Sequence, residues 1–146
     1  MIRIGCQTGG GQAYAGAQGL QQIGGLKLTA TGTGTFAYDA RIGFTVGAVA
    51  TGCQFGVQHT GAGSTLSGTI IGNASRILTV GNMQTALLSA AGCQALGVIS
   101  GIQGVAVMSG IVVAGADGDF CIVASKITDS TLNVGIGSYV RLYKIS

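Results

Sequence analysis

A run of twelve residues, 35–46, alternates between apolar side chains and polar or small ones. In TFAYDARIGFTV the odd positions include Asp39 and Arg41. The even positions carry Phe36, Tyr38, Ala40, Ile42, Phe44 and Val46. A period of two over this length indicates a β-strand with one buried face. The even residues are therefore expected to line a core.

A second alternating run follows closely. CQFGVQH places Cys53, Phe55, Val57 and His59 on one face of a strand. The segment GAVATG, which separates the two runs, supplies a turn. Residues 35–46 and 53–59 are therefore predicted to form a hairpin.

The rest of the chain contains further short apolar runs. STLSGTII is a strand candidate, GVAVMSGIVVA and DFCIVASKI flank GADG as a predicted hairpin, and STLNVGIGSYVRLYKI forms the last strand or pair. NMQTALLSAAG is expected to form one or two helical turns, because Met83, Leu87, Leu88 and Ala91 recur at helical spacing. About eight strands with glycine turns predict an antiparallel all-β sandwich or barrel, most simply a jelly roll.

The length of 146 residues suits one domain. Residues 1–25 are rich in Gly, Gln and Ala and show no period. This composition is typical of an arm or a loosely structured lead-in. The expected organisation is an N-terminal arm of residues 1–25 followed by a β domain of residues 26–146.

The chain carries very few charges. Only 8% of its residues are charged, against about 25% in an ordinary soluble domain, and it has no Glu. Such a chain lies in a membrane, hides surface against copies or partners, or relies on Thr, Ser, Gln and Asn for solvation. The net charge of +3 comes from scattered Lys and Arg, so nucleic-acid binding is not expected.

Residues 95–116 carry no charge and are a candidate membrane span. Their length is sufficient, since a helical span takes about 20 residues. However, the stretch is interrupted by glycines and lacks aromatic anchors and nearby cations at its ends. MIRIGCQTGG at the N-terminus also has no apolar run of signal-peptide length. Short buried strands, no membrane and no export are therefore expected.

Groups for catalysis or metal binding are sparse. The chain has four Asp, with Asp39 facing outward beside Arg41, and a single His, His59, which is interpreted as a hydrogen-bonded residue at a strand end. No Cys-x-x-Cys pair or phosphate-binding loop occurs. No enzyme activity, cofactor or metal is expected. The four cysteines, Cys6, Cys53, Cys93 and Cys121, are most simply buried thiols. Two disulfides among them, in a pairing that the sequence does not assign, are the alternative.

The last segment, NVGIGSYVRLYKIS, is apolar on both faces if it is one strand. Val134, Ile136, Val140 and Leu142 fall on one side, and Tyr139, Arg141, Tyr143 and Ile145 on the other. An outer strand is normally polar on one face. Tyr and Arg are enriched at protein interfaces, so the second face is expected to pack against a partner.

FAYDARIGFTVGAVATGCQFGVQHTGAGSTLSGTIIG and VMSGIVVAGADGDFCIVASKITDSTLNVGIGSYVRLYKIS resemble the TNF/C1q-like jelly rolls of bacteriophage virion proteins. The resemblance covers roughly residues 30–146, with the middle, 74–104, unlike the pattern, and it includes the closing motif Gly137-Ser138-Tyr139-Val140-Arg141-Leu142. It implies a homotrimer with the last strand near the threefold axis. Tyr139, Arg141 and Tyr143 would then lie in the trimer interface.

A chain this short, with little beyond one β domain, fits a head decoration (cement) protein better than a tail fibre. The resemblance thus implies a trimer made in the host cytoplasm that binds the major capsid protein on the outer shell. Arm residues Arg3, Gln12, Tyr14 and Gln18 would contact the shell. The alternatives are a tail-associated or receptor-binding module that binds glycans and, more distantly, a small membrane protein that uses residues 95–116.

Overall fold

A computed structural model describes residues 2–6, 12–14, 20–46, 52–75, 83–86, 92–100, 103–126 and 132–146. These ranges contain strands and connecting loops, and no helix. The strands are β1 (Ile2–Cys6), β2 (Gln12–Tyr14), β3 (Gln21–Leu28), β4 (Gly34–Val46), β5 (Gly52–His59), β6 (Thr65–Ser75), β7 (Met83–Ala86), β8 (Gly92–Ser100), β9 (Gln103–Ala114), β10 (Phe120–Lys126), β11 (Leu132–Val134) and β12 (Tyr139–Lys144).

The described strands form two antiparallel sheets. The larger, eight-stranded sheet has the order β1-β12-β4-β9-β6-β7, with β11 pairing with both β4 and β2. The smaller sheet has the order β3-β10-β5-β8. In chain order, consecutive strands lie in opposite sheets except for β1 and β2, β6 and β7, and β11 and β12. This exchange between two facing sheets is that of a jelly roll, so the predicted fold class is confirmed.

The core lies between the two sheets. Phe36, Tyr38, Ala40, Ile42 and Phe44 of β4 are all buried, as their alternation predicts. Aromatic rings connect the layers: Tyr38 lies 5.2 Å from Phe120 and Phe44 lies 5.4 Å from Phe55, between ring centroids. Each such pair adds about 0.5–1.5 kcal/mol beyond the area that it buries. These contacts fix the smaller sheet against β4.

Both predicted hairpins are wrong. β4 pairs with β9, β11 and β12, whereas β5 pairs with β10 and β8 in the opposite sheet. The GADG segment likewise joins β9 to β10 across the sandwich. A period of two shows which side of a strand is buried, but it does not identify the strand's hydrogen-bonding partner.

The N-terminal segment contains strands where a loosely structured arm was expected. β1 pairs with β12, with Ile2 opposite Tyr143 and Cys6 opposite Tyr139. The expected boundary at residue 25 falls inside β3, whose Ile23 and Leu26 are fully buried. The expectation fails here because the C-terminal strand supplies a pairing edge that the local composition does not reveal.

The expected helical turns are wrong for Met83–Ala86, which form β7 at the edge of the larger sheet. β7 pairs with β6, from Ile71 opposite Met83 to Gly68 opposite Ala86. One or two turns of helical periodicity are a weak signal, since short isolated helices are marginal. The remainder of that prediction, residues 87–91, lies outside the described residues.

The C-terminal segment forms two strands, β11 and β12. The sequence predicted either one strand or a pair here, and the structure has the pair. Val134, Val140 and Leu142 are buried, as expected. Ile136 is not on their face: it is 68% exposed in the turn between the strands, where Gly137 has a positive φ of 84°. A turn at this position separates the alternation into two short runs.

Two glycines make room for the buried Tyr38. Gly68 of β6 lies opposite Gly110 of β9, and Tyr38 of β4 lies opposite Gly110 on the other side. The Tyr38 hydroxyl donates a hydrogen bond to the Ser67 carbonyl, 3.2 Å away. A Cβ on Gly110 would meet the Gly68 Cα at 2.6 Å and the Tyr38 hydroxyl at 2.7 Å. The ring therefore occupies space that only glycine leaves open.

We expect Gly110→Ala to lower the free energy of unfolding by about 1–3 kcal/mol, because the added methyl forces β6 or Tyr38 to move. The matched control is Gly43→Ala on β4, where a Cβ has nothing within 4 Å. Urea unfolding at one protein concentration measures both. Equal destabilisation by the two substitutions would contradict this account of Tyr38.

Candidate interaction surface

The outer face of the eight-stranded sheet is the side that points away from the core. Cross-strand register aligns its side chains in rows from β1 through β12, β4 and β9 to β6. Several large aliphatic residues on this face are exposed: Ile2 (62%), Ile4 (60%), Val107 (46%), Ile111 (37%) and Val113 (44%). Exposed aliphatic side chains grouped on one face of a sheet favour an interaction site over a solvated face.

Arg141 occupies the middle of the outer face. Its Nε and Nη2 donate hydrogen bonds of 2.9 and 2.7 Å to Asp39 Oδ2, directly opposite on β4. The guanidinium lies 5.1 Å from the Tyr139 ring centroid and 5.9 Å from that of Tyr143. Cations at this range are attracted to aromatic faces. The structure thus brings the three residues predicted for the trimer interface into one cluster.

The hydrogen bonds that Arg141 donates to Asp39 raise the pKa of Arg141 above its ordinary value, so the guanidinium stays charged. A side-chain hydrogen bond of Tyr143 to Asp39 likewise raises the pKa of Tyr143. Asp39 is therefore the acceptor that holds this cluster together. Asp39 and Arg141 belong to the same chain, so their charges offset each other without a partner.

The outer face is organised as a polar row between two more apolar ones. The polar row continues from Asp39 to Ser109 and Thr69, whose hydroxyl oxygens are 3.3 Å apart. On one side lie Ile2, Tyr143 and Ile111, and on the other Cys6, Tyr139 and Val107. A partner that packs here meets apolar contacts flanking a polar line, which favours a defined register of docking.

Sequence reasoning found the β12 part of this surface and missed the rest. In β9, Ala106, Met108 and Val112 face the core. Val107, Ile111 and Val113, at alternate positions, face outward. This is the same two-faced apolar pattern that identified Tyr139 and Tyr143, and applying it to every strand finds the β9 residues. It does not find Ile2 and Ile4, because Arg3 and Gly5 occupy the other face of β1.

The residues predicted for a shell-contacting arm lie in strands β1 and β2, where the structure describes them. Arg3 lies in β1 opposite Leu142, on the core side of the sheet, and its Nη1 donates to the Thr29 carbonyl. Gln12 and Tyr14 lie in β2, opposite Val134 and Leu132 of β11. Gln18 lies outside the described residues. Arg3 and the Tyr139 cluster thus point to opposite sides of the β1–β12 pair.

A groove of about 650 Å³ opens at the β11 end of the outer face. Gly43 and Gly135 leave space at its base, and Val105 forms an apolar wall. Its polar lining comes from Arg41, Thr45, Gln103 and Asn133. An arrangement of amide, hydroxyl and guanidinium groups beside an apolar wall can bind a neutral polar ligand.

His59 lies at the opposite end, buried among three loops, and is 1% exposed. Its Nδ1 accepts a hydrogen bond of 3.1 Å from the Gly61 N–H, and its Nε2 lies 2.8 Å from Thr31 Oγ1. Ser64 Oγ is 2.8 Å from Nδ1. The Gly61 donor places the proton of the neutral ring on Nε2. Burial lowers the pKa of His59, in agreement with its interpretation as a hydrogen-bonded structural residue.

The acidic residues near His59 are engaged with the backbone. Asp117 Oδ1 accepts hydrogen bonds from the N–H groups of Gly32 (2.7 Å) and Gly118 (2.9 Å). Asp119 accepts from the Ala30 N–H and forms an ion pair of 2.7 Å with Lys27. Among the described residues, no group of three or more His, Cys, Asp or Glu is placed to hold a metal ion. The cluster joins loops 29–33, 60–64 and 115–119.

The cysteines divide between core and surface. Cys53 and Cys121 are buried, as expected for them, and burial raises the pKa of the Cys53 thiol to about 12. Cys6 is exposed on the outer face, which differs from the expectation of a buried thiol. Cys93 lies in β8.

Within residues 95–116, which the membrane alternative requires as a helix, residues 95–100 and 103–114 lie in β8 and β9. Throughout the ranges that the structure describes, no helix has the length and apolar character that a bilayer crossing needs.

No protein-family model and no curated protein matches this chain. Among solved structures it is similar to Eiger TNF from S. frugiperda, with 9% identity and a TM-score of 0.45 over 100% of this chain and 92% of that one. It is also similar to the CBM2 module of the evolved Dit of Lactobacillus casei BL23 phage J-1 (12%, 0.39, 99% and 91%). A third is infectious bursal disease virus, Gt strain (9%, 0.30, 97% and 38%). Likenesses this distant assign no function to the chain.

The lowered pKa of His59 predicts a pH-dependent stability. Below pH 6.5, the ordinary pKa of histidine, His59 binds a proton in the unfolded chain but stays neutral in the folded protein until a lower pH. The contribution of His59 is therefore complete above that pH, and it falls as the pH drops toward the lowered pKa of the folded state. Urea unfolding between about pH 7.5 and 4.5 should show this decline.

The control is His59→Gln, which removes the titrating ring. This variant is expected to be less stable at neutral pH by about 1–3 kcal/mol, because buried partners lose their hydrogen bonds. Its stability should vary less with pH across the same window. An identical pH dependence in both proteins would contradict the assignment to His59.

Proposed function

We propose that this protein is a structural virion protein: a homotrimer that buries the outer face and decorates the outer shell of a phage capsid. The observation that carries the proposal is the exposed apolar surface around the Tyr139–Arg141–Tyr143 cluster. The assignment to a virion and the number of three subunits both come from the resemblance of the sequence to trimeric TNF/C1q-like phage domains. The exposed surface itself calls only for a partner.

The composition of the outer face supports burial against another protein. Isoleucine and valine dominate its strands β1 and β9, and each fully buried side chain of this size contributes about 1.5–3 kcal/mol relative to exposure. The chain has few charges to keep such a surface solvated as a monomer. Copies of the same chain present the same surface, so self-association covers it without a second component.

The Arg141–Asp39 ion pair is compatible with a buried interface. Burying a lone charge is very costly, but here each guanidinium is already hydrogen-bonded to a carboxylate of its own subunit. Tyr and Arg are also enriched in interfaces, whereas Lys and Glu are depleted. The polar row can therefore sit inside the trimer and set the register between subunits.

Shell binding is the role proposed for the trimer, with the major capsid protein as its partner. The role is mechanical and not enzymatic: a protein that binds only the assembled shell stabilises it by mass action. The described acidic residues support a structural role, because Asp39, Asp117 and Asp119 are all engaged in ion pairs or backbone hydrogen bonds. Arg3 is kept as a proposed shell contact.

A second candidate function is favoured by the groove beside Gly43. The side chains of Arg41, Gln103 and Asn133 bring a guanidinium and two amide groups to its lining. Groups of this kind suit a neutral sugar, so a tail-associated or receptor-binding module that binds glycans remains the alternative. Saturable binding of host glycans, lost in Gln103→Ala, with only a few copies per virion, would favour it over shell decoration.

Ile111→Asp should break the trimer, since it places a carboxylate in the apolar part of the outer face. The dissociation constant is expected to rise by about a hundredfold or more. Ile136→Asp is the matched control, because Ile136 is also exposed but lies in a turn outside the outer face. Sedimentation velocity over a dilution series distinguishes the two. Dissociation of both variants, or of neither, would count against this interface.

Addition of purified protein to shells that lack it tests the shell-binding role. Binding should saturate at a stoichiometric number of trimers per shell and raise the temperature at which the shell disassembles. Ile111→Asp should bind with lower occupancy, and Ile136→Asp should bind normally. No binding to shells, together with a few copies per virion, would reject the decoration role.

A further inference from the structure

A small cavity opens on the core side of the β1–β12 edge, away from the outer face. Arg3, Thr31, Phe36, Leu142 and Lys144 line it, and its volume is about 230 Å³. The residues come from β1, β12, β4 and the loop that precedes β4. This cavity is named the edge pocket.

Two cations share the edge pocket. Arg3 Nη1 donates to the Thr29 carbonyl, and Lys144 Nζ donates to the Thr33 carbonyl at 3.2 Å. Within the described ranges, Lys27 and Arg141 form ion pairs, but Arg3 and Lys144 do not. A guanidinium has five N–H donors and an ammonium three, so donors on both groups remain available.

Neither Arg3 nor Lys144 forms an ion pair with a described Asp. Asp119 is paired with Lys27, and Asp39 is paired with Arg141 on the outer face. Asp117 accepts hydrogen bonds from the N–H groups of Gly32 and Gly118. Two cations that line one small cavity without an ion-pair partner favour an anionic ligand.

The apolar walls of the edge pocket favour an anion that carries an aliphatic group. Phe36 and Leu142 are almost fully buried and present apolar surface, and Lys144 Nζ lies 5.8 Å from the Phe36 ring centroid. A cavity of roughly 150 Å³ accepts benzene in another protein, so this volume has room for a short aliphatic stem. An inorganic phosphate would leave oxygens against the apolar walls without donors.

We infer that the edge pocket binds the side-chain carboxylate of an acidic residue, Glu or Asp, presented by a partner protein. The carboxylate is held between Arg3 and Lys144, and its methylene stem packs on Phe36 and Leu142. The inference deepens the proposed function, on which it depends for the identity of the partner as a capsid subunit. The pocket's preference for a carboxylate does not depend on that identity.

The test is a titration of the ¹⁵N-labelled full chain with N-acetylglutamate amide at constant ionic strength. N-acetylglutamine amide is the neutral control, and inorganic phosphate is the competing anion. Saturable shifts of the backbone amides of Thr31, Phe36 and Leu142 are expected with the glutamate compound alone. Arg3→Gln and Lys144→Gln should each weaken binding about tenfold, because each removes a charge-assisted hydrogen bond.

Arg41→Gln is the matched control, since it removes one positive charge from a cation that forms no ion pair with a described residue and lies outside the edge pocket. Binding should be unchanged in it. Absence of saturation, equal weakening by Arg41→Gln, or tighter binding of phosphate would overturn the inference. If one of the two variants does not fold, the other keeps the test valid, because each cation lines the pocket independently.

Attachment to shells tests the proposed function separately from the edge pocket. Binding of the glutamate compound by a protein that never attaches to shells would reject shell decoration and leave the edge pocket intact. Attachment of Arg3→Gln and Lys144→Gln to shells at normal affinity would reject the pocket as the shell contact.

Discussion

The larger sheet carries apolar side chains on both of its faces, and the association of the protein follows from this constraint. The inner face, to which β9 and β12 contribute, packs in a core shared with the smaller sheet. The other face exposes Ile2, Ile4, Val107, Ile111 and Val113 in a protein with few charges to offset them. Hydrophobic burial is complete only when a second protein surface covers this face, so fold and association follow from the same residues.

The polar groups that remain are arranged so that burial is possible. Arg141 and Asp39 neutralise each other across the β12–β4 pair, between Tyr139 and Tyr143. At one end of the sandwich, His59, Asp117 and Asp119 connect loops through backbone hydrogen bonds. In the described structure, the cations without an acidic partner, Arg3, Arg41 and Lys144, line cavities. Arg3 and Lys144 thus lie on the core side, away from the proposed trimer interface, whereas Arg41 lies on the outer face, opposite Tyr139.

The alternation of apolar residues along a strand predicted its buried face correctly, but it did not predict which strands pair with each other. The buried faces of β4 and β5 follow from the period of two, because each is a property of one segment. The predicted hairpins failed because β4 and β5 belong to opposite sheets, and partner choice depends on residues far away in sequence. Asp39 illustrates this: it lies near Arg41 on its own strand, but it pairs with Arg141, 102 residues away.

The candidate surface was predictable in part for the same reason. Tyr139, Arg141 and Tyr143 were identified because the last segment is visibly apolar on both faces. Ile2 and Ile4 were missed because the composition of residues 1–25 suggested an arm, and a strand as short as Ile2–Cys6 forms only with β12 as its partner. The edge pocket could not be predicted, since it requires β1, β4 and β12 to meet.

The most direct test of the central claim is the solution mass of the purified protein, without detergent, by size exclusion with light scattering over a dilution series. Burial of the outer face between three copies predicts a single species near three times 14.4 kDa. A species of 14.4 kDa at all concentrations would contradict the account, because the apolar outer face would then be stable in water uncovered.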